Sequence, residues 1–242
     1  MTSGGDPPAA RRSSAPAARR QAKFWNFRYR TQPKVFGDRP SPFLRWLLHA
    51  LEGRRPGRQW IELGSGYGRD LKELRDRGLS ARGIDLSRVG TSIARRAGLE
   101  AEKGHALRLL ARQRSASVDV VFSNLFFNME FLYADHDRLF AEVHRVLAPG
   151  GFHAYCARST SDALCGKGTN VGPDTYDFRP DGPVMHFFSR RYAARLRKGR
   201  FRSVRTWEGP GRERIPTRVL YVLERKPPLR EERRRAGGRL TP

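Results

Sequence analysis

The run Glu62-Leu63-Gly64-Ser65-Gly66-Tyr67-Gly68 sets a carboxylate two residues ahead of three alternate glycines. With Ile61 and Leu63 apolar, this describes a buried strand that turns tightly into a helix. The glycines permit positive φ and let a ligand approach the backbone with no Cβ in the way, while the first amides of the helix become available to it. The chemistry suited to such a turn is the holding of a nucleoside. A second carboxylate, Asp85, ends the run Ser80-Ala81-Arg82-Gly83-Ile84-Asp85. It falls roughly 20 residues beyond the first glycine, the spacing of a group that accepts bonds from two vicinal ribose hydroxyls. Each feature has a plainer alternative, since glycine clusters also make loops and Asp85 could cap the helix that follows, although Ser87 is placed to do that. A dinucleotide turn reads G-x-G-x-x-G/A, but Arg69 stands where the last small residue would allow close helix packing, which puts dinucleotide binding second.

The elements that must position these groups are legible as β-α units. Ser41-Pro42 supplies a capping hydroxyl and a proline for a first turn, and Phe43, Leu44, Leu47, Leu48 and Leu51 then recur at helical spacing before Gly53. Next come a strand over 59–63, a helix over 69–77, a strand over 80–85 and a helix after Ser87 that is expected to turn Val89, Ile93 and Ala97 inward. A short strand over 99–103 precedes Gly104-His105-Ala106, and Val118-Asp119-Val120-Val121-Phe122 reads as a central parallel strand with Ser123 and Asn124 at its carboxyl end. Leu139, Phe140, Val143, Val146 and Leu147 mark one more helical face, which Pro149-Gly150-Gly151 should stop before a strand over 152–156. A helix over 189–198 and strands over 202–207 and 218–225 close the pattern. The fold class is therefore α/β, a doubly wound, mostly parallel seven-stranded sheet with a C-terminal antiparallel hairpin.

The formal charge of +24 is compatible with a nucleic-acid, acidic-membrane or acidic-protein partner. Arginine bias in the coding sequence is the bland alternative. Arg11, Arg12, Arg19 and Arg20 lie in an Ala/Pro/Ser-rich leader, and Arg230, Arg233, Arg234, Arg235 and Arg239 follow Pro227-Pro228. Residues 1–22 and 227–242 are accordingly expected to be disordered basic tails around one domain over 23–226. No apolar stretch reaches the roughly 20 residues that span a bilayer, and the first residues lack the apolar core of a secretory signal, so a cytoplasmic protein with no membrane partner is expected. Cys156 and Cys165 have no zinc-like spacing, which argues against a metal site, and Cys156 is expected in the core.

Taken in order, Glu62 to Gly68, Asp85, Gly104 to Ala106, Val118 to Asn124 and Leu147-Ala148-Pro149-Gly150-Gly151 resemble the motif series of class I S-adenosylmethionine-dependent methyltransferases, over about residues 24–226. Phe24-Trp25-Asn26-Phe27-Arg28-Tyr29-Arg30, the segment Phe36 to Leu44 and Gly66-Tyr67-Gly68-Arg69-Asp70 are more narrowly similar to the tellurite-resistance and thiopurine methyltransferase branch. The resemblance implies S-adenosylmethionine as cofactor. It assigns Gly64, Ser65, Gly66 and Gly68 to the backbone cradle, Glu62 to the amino-acid end through the turn, Asp85 to the ribose, and His105, Ala106 and Asn124 to the rest of the pocket. His105 departs from the pattern, because relatives often carry an acidic residue there to accept from the adenine amino group. Trp25 and Tyr29, four residues apart, could share one face of a short helix and close as an aromatic lid near a cationic sulfonium.

The resemblance further implies an enzyme that aligns a small-molecule acceptor, a thiol or chalcogen species among the candidates, for in-line attack. Alignment alone can supply effective molarities of about 10⁵–10⁸ M, so no universal acid or base is required. Asp135, His136, Asp177 and His186 are available to take a proton, and the catalytic residue stays open. Residues 174–178 and 183–188 fall in the region that shapes acceptor pockets in this fold or are only loop. Two alternatives remain: an RNA methyltransferase using the basic surface or tails, and a non-catalytic nucleic-acid-binding or cofactor-sensing protein. Against the first, Ser123-Asn124-Leu125-Phe126 stands where amino methyltransferases of nucleic acid often carry a polar-Pro-Pro-aromatic motif. A monomer or a dimer is equally compatible with the sequence.

Overall fold

Strand alternation decides the layers. In the computed structural model, which describes residues 14–129, 133–180, 182–211 and 217–228, β1 (Gln59–Leu63) turns Trp60 to one side of the sheet and Ile61 and Leu63 to the other. The same division runs through β4 (Val118–Asn124), β5 (Leu147–Arg158) and β10 (Arg218–Arg225): Val120, Phe122, Ala154, Cys156, Tyr221 and Leu223 face one way, while Val121, Tyr155, Ala157, Leu220 and Val222 face the other. Both faces are apolar, so both must be covered.

Helix α2 (Pro42–Ala50) covers the first face with Phe43, Leu44 and Leu47, joined by Leu74 of α3 (Arg69–Asp76). Helices α5 (Ala106–Ala111), α6 (Tyr133–Val146) and α7 (Arg190–Arg197) cover the second, with Leu109, Leu110, Leu139, Phe140, Val143, Tyr192, Ala193 and Leu196. With β2 (Ser80–Asp85), β3 (Glu100–Lys103) and β9 (Arg202–Pro210), the seven-stranded sheet has the order β3-β2-β1-β4-β5-β10-β9. β10 runs antiparallel to both of its neighbours and the other pairs are parallel. This is the doubly wound sheet with a terminal hairpin expected from the sequence.

Four expectations are corrected. Helix α1 spans Ser14–Thr31, so part of the segment 1–22 expected to be disordered is helical, because an amphipathic stripe carried on α1 docks on the domain; residues 1–13 and 229–242 lie outside the described residues. Helix α4 (Arg88–Arg96) buries Gly90, Thr91 and Ala94 rather than Val89, Ile93 and Ala97, since it packs between the sheet and α1 and Gly90 allows the closest approach. The Pro149-Gly150-Gly151 turn does not separate helix from strand: β5 begins at Leu147, runs through it and shifts register against β4 between Val118 and Val120. Residues 174–178 and 183–188 are not only loop: they contribute β7 (Thr175–Asp177) and β8 (Val184–His186) to a small antiparallel sheet with β6 (Thr169–Gly172).

Candidate active site

The glycine turn between β1 and α3 is built from left-handed backbone: Gly64, Gly66 and Gly68 have φ of 76°, 54° and 83°. A non-glycine residue rarely adopts these angles. Asp85, at the end of β2, fastens the turn from the side, accepting from the Gly66 amide at 2.9 Å and from the Ser87 amide at 2.7 Å. Burial pushes the Asp85 carboxyl up, and those two amides pull it back. A carboxylate has about four acceptor sites, so two amides leave capacity for two hydroxyls. Ser87 performs the capping that Asp85 could have performed, accepting from the Gly90 amide at 3.0 Å.

Glu62 is 4% exposed on β1, and its Oε2 has no hydrogen-bond partner. Burial drives its carboxyl well above the usual range, with Asp70 adding to the effect and Arg69 opposing it. An unpaired buried carboxylate is costly, and a cationic ligand group would complete it. Asp70, the other buried acid of this region, is already occupied: it accepts from the Ser41 amide and hydroxyl, each at 2.6 Å, and so ties the start of α2 to α3. Ser65 turns its side chain onto β2, where a Cβ on Gly83 would stand 2.2 Å from its hydroxyl, and its carbonyl accepts from the Gly68 amide.

A small recess opens beside the turn, lined by Ile84, Asp85, Leu86, Gly104, His105, Ala106 and Phe126. His105 stands at the N-terminus of α5 without capping it, and burial lowers its imidazole pKa while Asp135 raises it. Asp135 thus brings negative charge to the His105 neighbourhood from α6, a relationship invisible in the motif. Phe126 was missed by the sequence reading. It lies 3.0 Å from where a Cβ on Gly64 would stand and also lines the recess, so it joins the turn to the pocket. Its position two residues beyond Asn124, at the strand's carboxyl end, was the available signal; Asn124 itself is partly buried at the end of β4.

Over the turn lies α1. Trp25 and Tyr29 stack with ring centres 5.7 Å apart, and Tyr29 meets Tyr67 edge-on at 5.8 Å. The helix is pinned by Asn26, whose side-chain oxygen accepts from the Ser87 hydroxyl at 2.8 Å and the Val89 amide at 3.0 Å. Burial, then the charges of Asp85, Tyr67 and Glu62, raises the Tyr29 phenol well above its usual value, which places that hydroxyl in the field of both carboxylates. One turn before Trp25 on the same stripe, Gln21 is 8% exposed and its Nε2 is unpartnered, a second residue that the sequence reading passed over.

Of the four groups considered for proton transfer, the structure brings two together. The His136 and His186 rings lie 5.3 Å apart, and His136 Nδ1 is 2.8 Å from the Tyr192 hydroxyl. Burial lowers them to about 3 and about 4 respectively, so both are neutral at pH 7. Asp177 is tied to Arg179, whose hydrogen bonds bring its carboxyl to about 2. Asp135 is 4% exposed with Oδ2 unpartnered.

Residues 61–155 match a family model described as a methyltransferase domain. This stretch is similar to methyltransferase domains. The residues fit S-adenosylmethionine: left-handed glycines that would not take a Cβ, a buried carboxylate oxygen lacking a cation, and a second carboxylate fixed beside an open recess. No curated protein matches the chain. Among solved structures it is similar to the Burkholderia thailandensis 1,6-didemethyltoxoflavin-N1-methyltransferase with bound 1,6-didemethyltoxoflavin and S-adenosylhomocysteine, at 16% identity and TM-score 0.67, over 92% of this chain and 93% of that one. A methyltransferase from Methanosarcina mazei matches at 17% identity and TM-score 0.66, over 75% and 97%. A protein described for conversion of a disulfide bond into a thioacetal group during echinomycin biosynthesis matches at 19% identity and TM-score 0.64, over 91% and 99%. At these identities the likeness concerns the fold.

Proposed function

We propose that the protein transfers the methyl group of S-adenosylmethionine to a small-molecule acceptor, with a thiol or another soft chalcogen nucleophile as the favoured class. The observation that carries the reading is the buried Glu62 carboxylate beside the left-handed Gly64 to Gly68 turn. When bound, the cofactor supplies an electrophilic methyl on a sulfonium. Glu62 balances the charge of its amino-acid end through the turn, Asp85 accepts from the ribose, and Phe126, His105 and Ala106 enclose the base. Trp25 and Tyr29 exclude water above the turn and present ring faces to the cationic centre, an attraction of roughly 0.5–2 kcal/mol.

A soft acceptor fits a chain in which three of the four titratable candidates are poor bases. His136 and His186 sit near 3 and 4, and Asp177 is held by Arg179. A thiol with a pKa of about 8.5 is a few per cent thiolate at neutral pH and needs little help to attack. The narrower likeness to the tellurite-resistance and thiopurine branch belongs to this proposal, and the sulfur chemistry described for the echinomycin protein agrees with it. Gln21 offers an unpaired donor to an acceptor oxygen or nitrogen one turn from the lid. On this reading the protein works in the cytoplasm; among the described residues no helix is long and apolar enough to cross a membrane.

A competition assay tests the reading: aromatic thiols, tellurite, phenols, amines and total RNA are offered together with labelled cofactor, and methylated products are identified by mass spectrometry. Label on sulfur or tellurium is the expected result. Label confined to RNA, oxygen or nitrogen rejects the acceptor class and leaves the cofactor site standing.

A further inference from the structure

The side of α1 that faces away from the domain is chemically unlike the side that forms the lid. Ala18, Gln21, Trp25 and Tyr29 form the inward stripe, partly or fully buried. Arg19, Lys23, Phe27 and Arg30 are exposed, with Arg20 at their border. At 3.6 residues per turn these five fall within an arc of about 100° on the outer surface. The helix contains no acidic residue, and Arg19, Lys23 and Arg30 have no ion-pair partner among the described residues. In their midst Phe27 is 62% exposed, the most exposed of the large apolar side chains described. Some arginines elsewhere on the surface face acidic partners, as Arg145 with Glu142, Arg190 with Glu208 and Arg195 with Asp137. What sets this stripe apart is an exposed aromatic ring set among cations on a helix with no acidic residue.

We propose that the outer face of α1 is a docking surface for single-stranded nucleic acid, independent of the methyl-transfer reading. Arg19, Lys23 and Arg30 contact successive phosphates, and Phe27 receives a base on its ring. A groove or stripe of cations interleaved with an aromatic face is the arrangement that binds single strands without sequence preference, because every base can stack. From Arg19 to Arg30 the helix rises about 16 Å at 1.5 Å per residue, long enough to serve a few nucleotides. An anionic membrane is the less suitable partner. A helix that lies in a lipid interface must offer its apolar side to the acyl chains, and here that side, Trp25 and Tyr29, is committed to the domain.

The test is fluorescence anisotropy of the full chain with a labelled single-stranded RNA 20-mer, titrated at several KCl concentrations. Each phosphate contact on a single strand contributes about −0.7 to the slope of log K against log salt. The Arg19→Gln/Lys23→Gln/Arg30→Gln variant should therefore flatten the slope by about 2 relative to the parent, since three contacts are lost. Phe27→Ala should weaken binding roughly tenfold with the slope unchanged, because stacking releases no counterions. Cofactor affinity and melting temperature should stay at parent values in both variants. Absence of RNA binding by the parent overturns the proposal, as does an unchanged slope in the triple variant. Preferential binding of phosphatidylserine vesicles over RNA by the parent also overturns it.

Discussion

The phenol oxygen of Tyr29 occupies the space where a side chain on Gly66 would begin: a Cβ built on Gly66 stands 2.3 Å from it. Helix α1 and the glycine turn are thus fitted to one another here as well as at the Tyr29–Tyr67 contact. Gly90 is the third partner, its own Cβ position lying 3.0 Å from the Tyr29 ring. Gly66→Ala should fail twice over, by forcing an alanine to a φ of 54° and by displacing Tyr29. The backbone penalty alone is of the order of 1 kcal/mol. Calorimetry should show cofactor affinity reduced at least tenfold, with Tyr29→Ala in the same background restoring part of it by removing the clash. No recovery in the double variant would mean that the backbone alone decides the loss.

Asp85 joins the turn to β2 through the Gly66 and Ser87 amides. Asp85→Ala removes the group assigned to the ribose and leaves both amides without their acceptor. Bonds to a charged group are worth about 1.5–3 kcal/mol each, so affinity for S-adenosylhomocysteine should fall roughly tenfold to a hundredfold. Binding at parent strength would remove Asp85 from the cofactor site.

The sheet and the turn were legible because their signals are local: glycines where φ must be positive, apolar alternation where both faces are covered, Ser41-Pro42 and Ser87 where helices begin. What was not legible depends on contacts between distant segments. The inward face of α4 could not be read from its own apolar residues, because Asn26 and Tyr29 of α1 decide how close Gly90 may come. Phe126 and Gln21 carry no motif; only the placement of Phe126 against Gly64, and the burial of Gln21, marks them. Asp135 reaches the neighbourhood of His105 from another helix, 30 residues on by numbering. The β6-β7-β8 sheet uses strands of four, three and three residues, too short for alternation to stand out.

Glu62 should make stability depend on pH in a direction opposite to that of a salt-bridged acid. Its folded-state carboxyl lies well above the ordinary 4.5, so the native state holds the proton more tightly than the unfolded chain. The stability contributed by the protonated form is complete below about 4.5 and is lost as pH rises through the elevated folded value. Above that, the protein without cofactor carries a buried charge. Glu62→Gln should therefore melt at a higher temperature than the parent at pH 8, with the gap closing below pH 4.5. The same substitution should weaken cofactor binding and shrink the rise in melting temperature that saturating cofactor produces. A variant less stable than the parent at pH 8 would contradict the assignment of Glu62 as a carboxylate awaiting a cation.

Asn26 separates lid docking from cofactor contact, because its side chain touches α4 rather than the turn. Its oxygen accepts from the Ser87 hydroxyl and the Val89 amide, which fixes the height of α1 above Gly66. Asn26→Ala loses two neutral hydrogen bonds, each worth about 0.5–1.5 kcal/mol, against a helix that also remains docked through Tyr29. The main sheet makes no use of this contact, so global melting should move by only a few degrees. Proteolysis and hydrogen exchange within residues 14–31 should accelerate, and cofactor dissociation should quicken several-fold as the lid opens more often. Saturating cofactor should restore much of the protection, since a closed lid and a bound ligand favour one another. Equal protection of α1 in parent and variant, with and without cofactor, would show that the helix is a fixed wall rather than a lid.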